Sequence, residues 1–94
     1  MDINYKIRYT KAAEKFFQKH EDVREQYKQE LEKLLSGESG VDVKRIQGKR
    51  NNYFRIRVGQ WRVIYTIING EIVIIDTILA GSRGDVYKKI TGLK

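Results

Sequence analysis

Seven cations lie between residues 43 and 70: Lys44, Arg45, Lys49, Arg50, Arg55, Arg57 and Arg62. The same stretch holds no Asp or Glu. Its charge equals the formal net charge of +7 of the whole 94-residue chain. A block of one sign with no local counter-charge is an electrostatic footprint for a polyanion. Toward its end the cations are arginines, and a planar guanidinium engages two phosphate oxygens at once. Phosphate binding is the chemistry these residue types suit; a solvated basic surface is the plainer alternative.

Composition removes several other chemistries. The chain has no cysteine, so it has no disulfide framework, thiolate metal site or cysteine nucleophile. Its single histidine, His20, cannot make a two-histidine nuclease site or a histidine metal site. His20 stands beside Glu21 and Asp22 at a helix junction and reads as a surface residue. Trp61 stands beside a turn and reads as core. No metal or cofactor is expected. No apolar run approaches the roughly 18 residues of a membrane span, and the opening MDINYKIRYT lacks the apolar stretch of a signal peptide. A cytoplasmic location with no membrane partner is the expectation, in keeping with the absent cysteines.

The elements that must position the arginines follow from hydrophobic period. Residues 3–9 alternate as a strand. Thr10 can cap a helix from Lys11 to about Lys19, with Ala12, Ala13, Phe16 and Phe17 inward. Asp22 and Glu25 have capping-box spacing ahead of a helical stripe of Val23, Tyr27, Leu31, Leu34 and Leu35, which Gly37 can stop. Residues 36–40, SGESG, form a loop, and 41–52 an irregular or short-strand approach. The period then becomes two, and three strands are predicted: Tyr53–Val58, Trp61–Ile68 and Glu71–Leu79. Gly59-Gln60 suits a type II′ turn and Asn69-Gly70 a type I′ turn. Residues 84–94 have room for one short helix. One α+β domain spanning 1–94 results. Its element order is β-α-α-β-β-β plus a short C-terminal segment, a small antiparallel sheet with two N-terminal helices on one face.

Two-residue turns set a register. Arg57 then opposes Arg62, and Arg62 opposes Thr77. Phe54, Ile56, Val58, Trp61, Val63, Tyr65, Ile67, Ile72, Ile74 and Ile78 share the helix-covered face, with Asp76 among them and lacking a partner. Arg55, Arg57, Arg62 and Thr77 occupy one end of the other face, with Ile64, Val73 and Ile75 toward its middle. Opposed like charges destabilise a sheet, yet they suit a phosphate. The segment AGSRGDVY, residues 80–87, begins beside this cluster, within reach of Arg83 and Tyr87.

These residues carry a resemblance. RIQGKRNNYFRIRVGQWRVIY followed by AGSRGDVYKK resembles the RelE/ParE superfamily of toxin–antitoxin toxins, and looks most like the RelE-type messenger-RNA endoribonucleases. The likeness covers nearly the whole chain. It implies a RelE-like fold and a toxin held inactive by a cognate antitoxin. It also implies ribosome-dependent, metal-independent cleavage of mRNA, in which the ribose 2′-OH attacks the adjacent phosphate. The catalytic positions it implies are Arg55, Arg57, Arg62, Arg83 and Tyr87. Lys44, Arg45, Lys49 and Arg50 are expected to track phosphates of mRNA or ribosomal RNA. The best-known members have lysines where this chain has Arg55 and Arg57, and a guanidinium is a poor proton acceptor. ParE-type members share the fold but inhibit DNA gyrase. A gyrase inhibitor and an inactive RNA-binding relative are therefore the alternatives.

Overall fold

The computed structural model describes residues 4–46, 52–70 and 72–91. Its elements run β1 (Tyr5–Tyr9), α1 (Lys11–Lys19), α2 (Glu21–Leu35), β2 (Val43–Arg45), β3 (Tyr53–Val58), β4 (Trp61–Ile68), β5 (Val73–Ser82) and α3 (Arg83–Ile90). They form one five-stranded sheet in the order β1-β5-β4-β3-β2. The α+β class and the helical hairpin on one face agree with the expectation. The sheet is mixed rather than wholly antiparallel, because β1 lies parallel to β5. That pairing joins residues 68 apart, such as Arg8 and Asp76, so no local turn announces it.

Local chemistry explains the helix ends. Thr10 Oγ1 accepts from Ala13 N at 3.2 Å and donates to Ile78 O at 2.6 Å, capping α1 and tying it to β5. The expected capping box does not form. Helix α2 starts two residues early, at Glu21, and its N-cap is His20, whose carbonyl accepts from Val23 N and Arg24 N. The last turn closes as a Schellman motif: Gly37 N donates to Leu34 O, Glu38 N donates to Lys33 O, and Gly37 takes φ +78°.

The β3–β4 turn is as expected. Gly59 takes φ +61° while Gln60 stays at negative φ, the type II′ pattern. The β4–β5 connection is not. Asn69 and Gly70 do not take the positive φ that type I′ demands, and Ile68 pairs with Ile74. Ile67 thus opposes Ile75 instead of Ile72. The slip is an odd number of residues, so it inverts the faces of β5. Val73, Ile75 and Thr77 turn toward the helices, and Ile74 and Asp76 turn away.

The inversion has an energetic reason. The expected register buries the Asp76 carboxylate among apolar side chains, at a cost of several kcal/mol. In the observed one Asp76 pairs with Arg8 at 3.3 Å. Thr77, fully buried, meets the Tyr27 hydroxyl at 2.7 Å. A bulge between Ile64 and Tyr65 of β4, opposite Ile78, then shifts the register again: Tyr65 opposes Thr77 but Ile64 opposes Leu79. Beyond it Ala80 faces the helical hairpin and Leu79 faces away.

Two apolar clusters result. Ala13, Phe17, Val23, Tyr27 and Leu31 of the hairpin pack on Ile56, Val58, Val63, Tyr65 and Ile75. On the opposite face Val86 and Ile90 of α3 pack on Tyr53, Ile64 and Leu79.

Replacing Tyr27 by Phe leaves the Thr77 hydroxyl buried without its partner and should lower stability by about 1–2 kcal/mol. The double variant Tyr27→Phe/Thr77→Val should recover most of that loss, as a urea-denaturation double-mutant cycle will show. Burial pushes the Tyr65 phenol up to about 12 from 10.0, and raises Tyr27 further still. Both stay protonated in the folded chain while the unfolded chain ionises near 10. Stability from these groups is therefore present below pH 10 and is lost as pH rises through 12. Equilibrium unfolding followed at pH 9 and pH 11, with tyrosinate absorbance, checks this.

Candidate nucleic-acid interface

Cross-strand partners share a face of a sheet. Arg57 directly opposes Arg62, and Arg62 opposes Gly81 of β5. This departs from the expected Arg62–Thr77 pairing, since Thr77 is in the core, and Gly81 sets no side chain over Arg62. Two residues after Gly81 the chain enters α3 at Arg83. Ser82 caps that helix, its Oγ accepting from Asp85 N at 3.3 Å. Val86 and Ile90 hold α3 over the face that bears Arg57 and Arg62.

The guanidiniums differ in their freedom. Arg57 is exposed, and its Nε donates to Gly59 O at 3.1 Å. Arg62 is half-buried, and its Nη1 donates to Trp61 O at 3.3 Å. Arg83 lies with its guanidinium 5.7 Å from the centroid of the Tyr87 ring, which is 48% exposed. None of the ion pairs among the described residues involves Arg57, Arg62 or Arg83.

Arg55 is different. Its face is the expected one, but it is only 7% exposed, and its Nη2 donates to Asp42 Oδ1 at 3.1 Å. A buried guanidinium requires such a partner. The same Asp42 accepts Arg57 N through its backbone carbonyl, so one residue braces both arginines of β3. Sequence reasoning missed Asp42; the signal available was its place as the last carboxylate before the basic block.

The flanking cations divide. Lys44 opposes Arg55 and shares its face, whereas Arg45 opposes Phe54 and lies on the other face, where its Nη2 donates to Asn52 Oδ1 at 2.7 Å. Lys49 and Arg50 lie outside the described residues. No helix among the described residues is long and apolar enough to cross a membrane.

What the arrangement can do is bind an oxyanion. Two directly opposed guanidiniums have no carboxylate partner among the described residues, and a helix carrying a third guanidinium and an exposed phenol folds over their face. The geometry suits a phosphodiester, whose oxygens accept from several donors at once.

Comparison with known proteins adds the lineage. Residues 7–84 match the family model described as the ParE toxin of type II toxin-antitoxin system, parDE. The structure is similar to one in the RelB-RelE antitoxin-toxin complex from Methanococcus jannaschii, with 26% identity and a TM-score of 0.58, over 87% of this chain and 96% of that one. It is similar to another in the archaeal RelE-RelB complex from Pyrococcus horikoshii OT3, with 26% identity and a TM-score of 0.59, over 89% and 98%. No curated protein matches the chain. With the family model covering most of its length, and both solved relatives spanned almost end to end, this chain belongs to the RelE/ParE superfamily of toxins of type II toxin–antitoxin systems.

Proposed function

We propose that this toxin is an endoribonuclease that cuts mRNA on the ribosome by internal transesterification. The ribose 2′-oxygen attacks the adjacent phosphorus, the bond to the 5′-oxygen of the next nucleotide breaks, and a 2′,3′-cyclic phosphate and a free 5′-hydroxyl remain. The 2′-proton leaves and a proton reaches the 5′-oxygen, so the step balances without an added nucleophile. The observation that carries the reading is the opposed pair Arg57 and Arg62, without a carboxylate partner among the described residues, on the face against which the helix bearing Arg83 and Tyr87 packs.

Roles follow from position. Arg62 sits between Arg57 on one strand and Gly81 on the next, the central place from which to stabilise the phosphorane oxygens. Arg57 holds the phosphate and favours ionisation of the 2′-OH through its charge. Arg83, at the start of α3, serves the leaving 5′-oxygen. Tyr87 orients the hydroxyl or stacks on a splayed base. Arg55, locked to Asp42, supports the cluster electrostatically from below rather than as a phosphate ligand. None of these side chains is a ready base near neutral pH, so cleavage of free RNA is slow and the ribosome supplies alignment. The cytoplasm is the compartment this requires. A cognate antitoxin is the expected protein partner, as in the two archaeal complexes.

The family model's ParE description favours a second reading, binding to DNA gyrase with no RNA cut. Clustered phosphate ligands argue against it, because an inhibitor that grips protein has no use for them.

Arg62→Ala should reduce message cleavage by roughly 10²–10³-fold, the loss expected for one oxyanion donor, with far-UV circular dichroism unchanged. Mapping the 5′ ends of cellular messages during expression gives the readout: cuts within translated codons support the nuclease, and a DNA-damage response without cuts supports gyrase. Arg57→Ala should change stability as well as cleavage. Relieving the opposed pair should raise it by about 0.2–1 kcal/mol, a thermal-denaturation measurement, while cleavage falls.

A further inference from the structure

A groove of about 490 Å³ runs between α1, α3 and the end of the sheet where β4 begins and β5 finishes. Its size falls within the roughly 300–1,000 Å³ of small-ligand sites. Lys15 and Lys19 reach it from α1 and Lys89 from α3. All three are exposed, and none takes part in an ion pair among the described residues. Its inner wall is aromatic: Phe16 and His20 are stacked at 4.4 Å, and both contact Trp61, at 5.2 and 4.8 Å. The sequence features set aside as a surface histidine and a core tryptophan thus meet in one cleft.

The groove adjoins the arginine pair. Trp61 opposes Ser82, and Arg62 opposes Gly81, in consecutive rungs of the same ladder. Successive residues of a strand face opposite sides. A polymer crossing this end of the sheet therefore passes from Arg62 to Trp61 within one residue. We infer that the groove is a second nucleotide-binding subsite, in which an unstacked base lies against the Phe16/His20/Trp61 wall while Lys15, Lys19 and Lys89 hold its flanking phosphates. Aromatic faces bind any base by stacking, and lysines bind phosphate as point charges. Asp85, the one carboxylate among the described residues that line the groove, repels phosphate and accepts from a base's N–H groups, so it sets which end of the nucleotide enters. This subsite rests on the RNA-directed reading above and extends it to the opposite side of the sheet.

Trp61 is the chain's single tryptophan and reports directly on the groove. A short single-stranded RNA titrated into the purified protein, without ribosomes, should quench Trp61 fluorescence. An abasic ribose-phosphate of equal length should bind without quenching. In Lys15→Gln/Lys19→Gln/Lys89→Gln, affinity at low salt should fall roughly tenfold or more. The slope of log K against log salt should become shallower by about 2, since each phosphate contact on a single strand contributes about 0.7. A thermal melt confirms that the variant is folded, and the wild-type titration stands alone if it is not. The inference is overturned if RNA binds with Trp61 emission unchanged, if no RNA binds, if the triple variant quenches as well as wild type, or if an acidic peptide quenches where RNA does not, which makes the groove a protein-docking site. Cleavage of messages by a protein whose Trp61 ignores RNA sinks the subsite alone; quenching without cleavage sinks the nuclease alone.

Discussion

The pairing register of β5 holds the structure together. This strand carries one carboxylate, Asp76, between Ile75 and Thr77, and alternation allows only one parity in which that charge escapes the helix-covered core. In that parity Asp76 reaches Arg8 on the neighbouring parallel strand, and Thr77 turns inward to the Tyr27 hydroxyl. The bulge opposite Ile78 then reverses the order of inside and outside for the rest of the strand. Ala80 packs under α1, Leu79 under α3, and Gly81 comes to lie opposite Arg62. The core and the candidate phosphate site thus share one geometric origin. Thr10, whose side chain donates to Ile78 O and whose N–H donates to Thr77 O, pins the bulge from the first turn of the chain.

The arginines differ in whether a carboxylate matches them. Arg24 lies against the rings of Tyr9 and Phe17 and is matched by Glu14 and Glu21. Its hydrogen bond to Glu14 raises its pKa above the usual value. Arg55 is likewise matched by Asp42. Guanidiniums removed from water need such partners. Arg57 and Arg62 keep solvent, oppose each other and have no carboxylate among the described residues. Such an arrangement weakens the sheet by a few tenths of a kcal/mol or more and improves a site for phosphate, the usual trade between stability and function.

Helix α3 links the second core to that site. Eight residues make a helix too short to persist alone in water. Docking of Val86 and Ile90 on Ile64, Leu79 and Tyr53, with the Ser82 cap, holds it. Because α3 continues β5 without a loop, the packing that stabilises it also fixes where Arg83 and Tyr87 stand relative to Arg62.

Much was legible from residue order alone. The α+β class, the helical hairpin, the Thr10 cap, the Gly37 stop, the II′ turn at Gly59-Gln60 and the Arg57–Arg62 opposition are set within a few residues of chain, where period and turn chemistry act. The same holds for the basic block and the family likeness it carries. Tertiary structure decided what depends on partners far along the chain. The parallel β1–β5 pair, the face of Asp76, the Asp42 partner that takes Arg55 out of solvent, the split of Lys44 from Arg45, and the meeting of His20 with Trp61 all join distant segments. Asn69-Gly70 shows the reason most plainly. Its local preference for a tight turn is worth less than keeping one carboxylate out of an apolar core, so the long-range term set the register and, with it, which side chains face the site.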